Sequence, residues 1–182
     1  MMENDANLIE RLSERRRVFD GHIIHVDHMK ALLPNGKVAP REVAVHPGAS
    51  AVVPVDAEGN VYLVRQFRAP LEQVTLEIPA GKLDRPGEDR REAAARELRE
   101  ETGFQAEHFQ KLTDLATTPG FCTEIISIYL ATGLSAGETE PDEDEFLNLV
   151  KMPLSEAVRK VMDGEIRDSK TICGVLMAER IL

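Results

Sequence analysis

Three glutamates near the middle of the chain, Glu97, Glu100 and Glu101, are spaced at i, i+3 and i+4. In a helix such residues lie on one face, so the three carboxylates would crowd together and repel one another. Most acidic helix faces are simply solvated surfaces. Mg²⁺ or Mn²⁺, which prefer a few carboxylates together with water and phosphate oxygens, would instead turn this repulsion into a binding site.

The residues around these glutamates predict a helix. Asp89 followed by Glu92 is a capping-box pattern, and Gly103 stands where a left-handed C-terminal cap is needed. The run between them consists almost entirely of strong helix formers. A second face of this helix is apolar, so we expect it to be buried while the acids look outward; it carries Ala94, Ala95 and Leu98.

The residues just before the helix, LEIPAGK at positions 76–82, read as a short apolar strand. Gly81 would let the backbone come close to whatever the acids hold, because it has no side chain.

The stretch from Gly81 to Phe104 resembles the Nudix box, in which a glycine and a spacer lead to Glu and then to Arg-Glu-apolar-x-Glu-Glu-x-Gly-apolar. The matching positions are Gly81, Glu88, Arg96, Glu97, Leu98, Glu100, Glu101, Gly103 and Phe104. Six residues separate Gly81 from Glu88 where the family has five, which indicates a one-residue loop insertion containing Pro86. The resemblance implies an α/β (α+β) fold, the Nudix αβα sandwich.

The order of elements predicts a small β unit at residues 1–47 and a catalytic domain at residues 48–182. In the first part, two strand-like runs flank a hairpin turn at Pro34 to Lys37. In the second part, strands alternate with the central helix, and two further helices follow: one from near Ser155 to Gly164, the other from near Asp168 or Ser169. A mixed sheet with helices on both faces follows from that order.

The resemblance is strongest to the ADP-ribose pyrophosphatase branch of the family. VRQFR and LEIPAGK precede the box, and Pro119 follows Phe104 by fifteen residues. This branch implies hydrolysis of the diphosphate linkage of ADP-ribose to AMP and ribose 5-phosphate. Two alternatives are a pyrophosphatase for another nucleotide sugar, such as GDP-mannose or ADP-glucose, and a non-catalytic nucleotide-binding module. The intact set of acids weighs against the last.

The metal-binding residues are also inferred from the resemblance. Glu97 and Glu101 are the best candidates for direct ligands, with Glu100 close behind; the backbone carbonyl of Ala80 is a further ligand, and Glu88 binds through water. Arg96 would orient a ligand carboxylate, although an ordinary surface pair with Glu100 is the alternative.

The general base in this branch comes from a loop after the sheet, which here is rich in acids. Glu143 is the candidate, with Glu140 and Glu145 as neighbours that could replace it. Arg41 and Arg68 match positions that contact substrate, and a guanidinium can grip phosphate oxygens with two hydrogen bonds. Glu77 would accept hydrogen bonds from ribose or serve as a structural acid.

Composition narrows the partners. A net charge of −10 without a basic stripe argues against nucleic acid. Two cysteines, Cys122 and Cys173, are too few for a disulfide framework and predict free thiols. With no apolar signal core and no long apolar run, we expect a soluble, cytoplasmic protein that does not bind membranes. We also expect a homodimer in which the hairpin from Phe19 to Val45 crosses the two-fold interface and supplies Arg41 to the site.

Overall fold

The protein is seen here as a computed structural model that describes residues 5–85, 87–137 and 146–182. The chain forms two compact units. The first comprises the chain up to Pro47 together with Thr118–Glu124, and the second comprises Gly48–Thr117 and Ile125–Leu182. Both cysteines are free thiols, as the sequence predicts.

The first unit is built on an antiparallel sheet of three strands in the order β1, β2, β3. These strands are β1 (Arg11–Asp20), β2 (His25–Leu32) and β3 (Val38–Val45). The predicted hairpin between β2 and β3 is present: the Leu33 amide donates to the Lys37 carbonyl at 2.8 Å, and Gly36 has a φ of 81°. Glycine suits this corner because residues with a side chain rarely adopt that conformation.

Strand β1 was not predicted from the sequence, because its run of charged residues has no apolar alternation. The structure shows what holds it. Asp27 on β2 is 1% exposed, and both Arg15 and Arg17 on β1 donate to its carboxylate, the latter at 2.5 Å. A buried carboxylate requires such partners.

Segment 118–124 belongs to the first unit, whereas the sequence-based division placed it with the catalytic part. Its backbone pairs with the end of β3. The Ala44 amide donates to the Phe121 carbonyl at 2.7 Å, and the Thr123 amide donates to the Ala44 carbonyl at 2.9 Å. These hydrogen bonds join residues far apart in sequence, which is why periodicity alone did not reveal the grouping.

The second unit contains two sheets. One has four strands in the order β7, β4, β9, β8, and the other has three in the order β10, β5, β6. Their bounds are β4 (Ala49–Pro54), β5 (Asn60–Arg68), β6 (Gln73–Glu77), β7 (Ala80–Lys82), β8 (Phe104–Ala116), β9 (Ile125–Ala136) and β10 (Asn148–Pro153). Strand β4 runs parallel to β9, while its pairing with β7 is antiparallel. The predicted mixed sheet is therefore confirmed.

Helices cover both faces of the four-stranded sheet. They are α1 (Arg90–Thr102), α2 (Leu154–Met162) and α3 (Ser169–Ile181). Because side chains alternate along a strand, Ala51 and Val53 of β4 pack in the core that includes Val175 of α3, while Val52 packs with Leu98 of α1. This is the αβα arrangement expected from the sequence. Within the described ranges, no helix combines the length and the apolar character needed to cross a membrane.

Candidate active site

Helix α1 begins and ends where the sequence predicts. The Asp89 side chain accepts hydrogen bonds from the amides of Arg91 and Glu92 at 2.9 and 3.0 Å. At the other end, Gly103 has a φ of 72°, and its amide donates to the Arg99 carbonyl. Both ends are thus fixed by local chemistry, so the acidic face is carried by a rigid element.

The sequence analysis expected the acids of α1 to look outward, but two of them do not. Glu97 is 5% exposed and Glu101 is 8% exposed, so two of the three carboxylates point into the second unit. Glu101 accepts a hydrogen bond from the Ala80 amide at 3.3 Å. The expectation was wrong because it judged these residues by polarity alone, while strand β7 offers the acids backbone groups instead of solvent.

The predicted apolar face of α1 also needs one correction. Ala94 and Leu98 are fully buried, but Ala95 is only partly so, and Ala93 takes its place in the core. Ala95 instead lines a cavity of about 500 Å³, whose wall also includes Glu88, Arg96 and Phe109 of β8.

Gly81 makes the close approach between β7 and α1 possible. A Cβ atom built at this position would overlap the carboxylate of Glu97. No residue other than glycine therefore fits here without moving that carboxylate. The role assigned to Gly81 from the sequence, to let backbone come near the acids, agrees with this geometry.

Arg96 lies among four carboxylates. Its Nη1 donates to Glu97 at 2.7 Å and to Glu100 at 3.0 Å, while its Nη2 lies 3.3 Å from Asp84 and 3.6 Å from Glu88. Partial burial would lower the pKa of Arg96, but the neighbouring carboxylates raise it above its ordinary value. Arg96 stays charged and bonds to both acids. Its hydrogen bond to Glu100 is the predicted pair, and its hydrogen bond to Glu97 is the contact that an orienting role would need.

Glu88 lies at the edge of this cluster. Its carboxylate accepts a hydrogen bond from the Asp84 amide at 2.7 Å, which closes the loop between β7 and α1. Asp84 was not singled out from the sequence. Its position three residues after Gly81 gave no signal, because its contact with Arg96 depends on how the loop folds back.

The donor chemistry of this cluster fits a hard cation. Glu97, Glu101 and the backbone of β7 supply oxygen atoms, the ligands that Mg²⁺ and Mn²⁺ prefer, and glycine leaves room beside one carboxylate. Among the residues that the structure describes, no group of three or more His, Cys, Asp or Glu side chains is placed so that it could hold a metal ion. The positive charge of Arg96 balances the negative charges of Glu97 and Glu100.

A buried ion-pair network lies behind this site. Arg68 on β5 donates to both oxygens of Glu77, at 2.8 and 2.6 Å, and Lys170 of α3 donates to the same carboxylate. Glu77 is 2% exposed. Burial alone would raise the pKa of Glu77, but the hydrogen bond from Arg68 and the charge of Lys170 outweigh it and lower the pKa to about 2. These contacts favour the structural alternative for Glu77.

The network continues to the backbone next to β7. Asp168 caps α3 by accepting from the Thr171 amide at 3.0 Å, and it also accepts from the Thr171 hydroxyl at 2.5 Å. That hydroxyl in turn accepts a hydrogen bond from the Ile78 amide at 2.9 Å. Helix α3 therefore fixes the chain two residues before Ala80.

Arg41 belongs to the first unit, where it lies on β3. Its Nε donates to Glu10 at 2.9 Å, and its Nη2 pairs with the same carboxylate. The hydrogen bond from Arg41 to Glu10 raises the pKa of the guanidinium.

Comparison with known proteins gives the family. Residues 44–173 match the profile of the NUDIX domain. The chain belongs to the Nudix family. It is 43% identical over 168 residues to the methanol dehydrogenase activator of Bacillus methanolicus, covering 91% of this chain and 90% of that protein. It is also 43% identical over 167 residues to the ADP-ribose pyrophosphatase of Bacillus subtilis (strain 168), with the same coverage. A crystal structure of an ADP compounds hydrolase matches with a TM-score of 0.84 and 26% identity, covering 95% of this chain and 94% of its own.

The site residues predicted from the sequence do not all lie together: Arg68 and Glu77 form the buried pair described above, and Arg41 lies in the first unit. The structure brings together Ala80, Glu88, Arg96 and the three helix glutamates around β7 and α1. Glu143, predicted as the base, and its neighbours Glu140 and Glu145 lie outside the described residues.

Sequence reasoning missed the residues of α3 that support this Nudix site, Asp168, Lys170 and Thr171, beyond placing the start of the helix. A signal existed for Lys170, which occurs in a largely apolar helix and is 5% exposed. A buried lysine requires a carboxylate, and Glu77 within an apolar strand requires a cation. The two lie 93 residues apart in the sequence, so nothing local joins them.

Proposed function

We propose that this Nudix protein hydrolyses ADP-ribose to AMP and ribose 5-phosphate, with Mg²⁺ or Mn²⁺ as its cation. One observation carries the proposal: Glu97 and Glu101 of α1 are turned inward against β7. Glu97 lies against Gly81 and accepts a hydrogen bond from Arg96, and Glu101 accepts one from the Ala80 amide. The ADP-ribose pyrophosphatase of Bacillus subtilis and the ADP compounds hydrolase support this choice of substrate.

Glu97 and Glu101 would hold the cation, with Glu100, the Ala80 carbonyl and a water-mediated contact from Glu88 completing the set. When bound, the cation neutralises the charge that builds on the diphosphate oxygens and makes a water easier to deprotonate. Water attacks one phosphorus, the bond from that phosphorus to the bridging oxygen breaks, and AMP and ribose 5-phosphate separate.

The chain's own residues prepare this reaction. Arg96 keeps the Glu97 carboxylate oriented through its 2.7 Å hydrogen bond, so that less freedom is lost when the cation binds. Glu143 is our assignment for the base that takes the proton of the attacking water, with Glu140 and Glu145 as alternatives. We assign Arg68 to a contact with a phosphate of the substrate; its two hydrogen bonds to Glu77 fix the direction of its guanidinium.

We further propose a homodimer in which the hairpin from Phe19 to Val45 crosses the two-fold axis and Arg41 reaches the partner's substrate. Several apolar side chains of the first unit are more than half exposed in the single chain, namely Leu12, Phe19, Ile23 and Val38. Their exposure supports the proposal that a second subunit covers them. We place the protein in a reducing cytoplasm, in keeping with its two free thiols, and expect it to bind neither nucleic acid nor membrane.

The function is tested by Glu97→Gln, with Glu92→Gln as the matched control. Glu92 is an exposed carboxylate on the same helix. We expect Glu97→Gln to lower turnover of ADP-ribose with Mg²⁺ by more than about 100-fold, since even residues that merely support a metal ligand are worth 10–100-fold. Release of AMP is measured with ADP-ribose, ADP-glucose and GDP-mannose, and circular dichroism checks folding.

The panel also separates the alternatives. Faster hydrolysis of GDP-mannose or ADP-glucose than of ADP-ribose would assign a different substrate to the enzyme. The proposed cleavage of a diphosphate linkage would stand. A wild-type protein that binds ADP-ribose but hydrolyses none of the three would favour the non-catalytic module, and a fully active Glu97→Gln variant would contradict the ligand assignment.

A further inference from the structure

Ser50 is a buried polar residue that the catalytic assignment does not use. It lies in the middle of the four-stranded sheet, on β4, and is 0% exposed. Within residues 5–85, 87–137 and 146–182, its hydroxyl has no hydrogen-bond partner. Burying a hydroxyl without a partner destabilises a protein, so this position calls for a reason.

The strand register shows which way the hydroxyl faces. Ser50 lies directly opposite Gly81 in the antiparallel pairing of β4 with β7. Directly paired residues on neighbouring strands project to the same face of a sheet, with Cβ atoms about 4.5–5.5 Å apart. A Cβ at Gly81 would run into the carboxylate of Glu97, so that carboxylate lies on the face to which Ser50 projects.

Core packing gives the same answer independently. Val52, two residues along β4, packs with Leu98 of α1, whereas Ala51 and Val53 pack in the core on the α3 side. Residues two apart on a strand share a face, so Ser50 faces α1, the helix that carries Glu97.

Building on the proposed function, we infer that Ser50 is a positioning residue for the Glu97 carboxylate and donates a hydrogen bond to it in the cation-bound enzyme. Without a cation, Arg96 holds Glu97. With Mg²⁺ bound, Ser50 would add to this contact the hydrogen bond that metal-binding carboxylates ordinarily receive from a neighbouring side chain.

Ser127 provides a matched control. It lies beside Ser50 on β9 in the same cross-strand row and is also 0% exposed, but its hydroxyl donates to Asp114 at 2.5 Å. Replacing either serine by alanine removes one buried hydroxyl from the same layer. Ser127→Ala also breaks a hydrogen bond that exists without a cation, the one to Asp114, whereas Ser50→Ala breaks none within the described part of the chain.

The inference predicts opposite effects on stability and on cation binding. In EDTA, Ser50→Ala should raise Tm by about 2–4 °C, because an unpartnered buried hydroxyl is removed, while Ser127→Ala should lower it. In the absence of substrate, Ser50→Ala should bind Mn²⁺ about 3- to 10-fold more weakly than wild type, the value of one lost hydrogen bond. Ser127→Ala should bind Mn²⁺ as wild type does.

Tm is followed by differential scanning calorimetry, and free Mn²⁺ by electron paramagnetic resonance, with Glu97→Gln included. If Glu97→Gln weakens Mn²⁺ binding and Ser50→Ala does not, the role of Ser50 is overturned and the proposed function stands. A lower Tm of Ser50→Ala in EDTA would also overturn it, because the hydroxyl would then already be bonded. Wild-type protein that binds no Mn²⁺ would overturn both.

Discussion

Replacing Lys170 by Met tests the buried network behind the site. Methionine keeps the length and apolar stem of lysine but removes the charge, and the side chain is buried against Glu77. Removing one partner of a buried ion pair costs about 3–5 kcal/mol. Glu77 keeps its hydrogen bonds from Arg68 and Thr75, so we expect the lower end, about 3 kcal/mol.

The lowered pKa of Glu77 reflects all of its partners together, the hydrogen bond from Arg68 first and the charge of Lys170 next. A fall from 4.5 to about 2 corresponds to about 3 kcal/mol of stabilisation of the ionised carboxylate. Because the folded-state pKa is below the unfolded one, this stability is present above pH 4.5 and is lost as the pH falls towards 2. The difference in the free energy of unfolding between wild type and Lys170→Met should therefore become smaller as the pH falls from 4.5 towards 2.

Urea unfolding followed by circular dichroism, repeated from pH 7 to pH 2.5, measures both effects. Lys160→Met is the control, because Lys160 pairs at 2.7 Å with Glu165, whose side chain is 59% exposed; such a pair is worth at most about 1 kcal/mol. At pH 7 the expected loss for Lys170→Met corresponds to a fall in Tm of about 6–12 °C. Equal stability of the two variants would refute the reasoning.

Two further predictions concern the site and the assembly. Gly81→Ala should abolish Mn²⁺ binding and turnover, because the added Cβ displaces the Glu97 carboxylate. Gly120→Ala, where a Cβ meets open space, should leave both unchanged. A Gly81→Ala enzyme that binds Mn²⁺ normally would contradict the close approach of Gly81 to Glu97. The proposed dimer should have twice the 20.2 kDa chain mass in analytical ultracentrifugation, and Arg41→Ala should raise KM without dissociating it. A fully active monomer would contradict that assembly.

The sequence specified the elements whose signals are local. The caps at Asp89 and Gly103 bound helix α1, and the turn at Gly36 defined the hairpin, because each depends on hydrogen bonds or backbone angles within a few residues. The Nudix spacing of Glu97 and Glu101 likewise survives in any helix, so the candidate cation ligands could be named before the fold was known.

Only the tertiary structure decided how those residues are used. It turned Glu97 and Glu101 inward, paired Glu77 with Lys170 across 93 residues, and placed Ser50 opposite Gly81. A helix sequence states which residues share a face, but what that face meets depends on strands brought together by the rest of the chain. The surroundings of the carboxylates, and hence their charge and orientation, are therefore properties of the assembled sheet and helices.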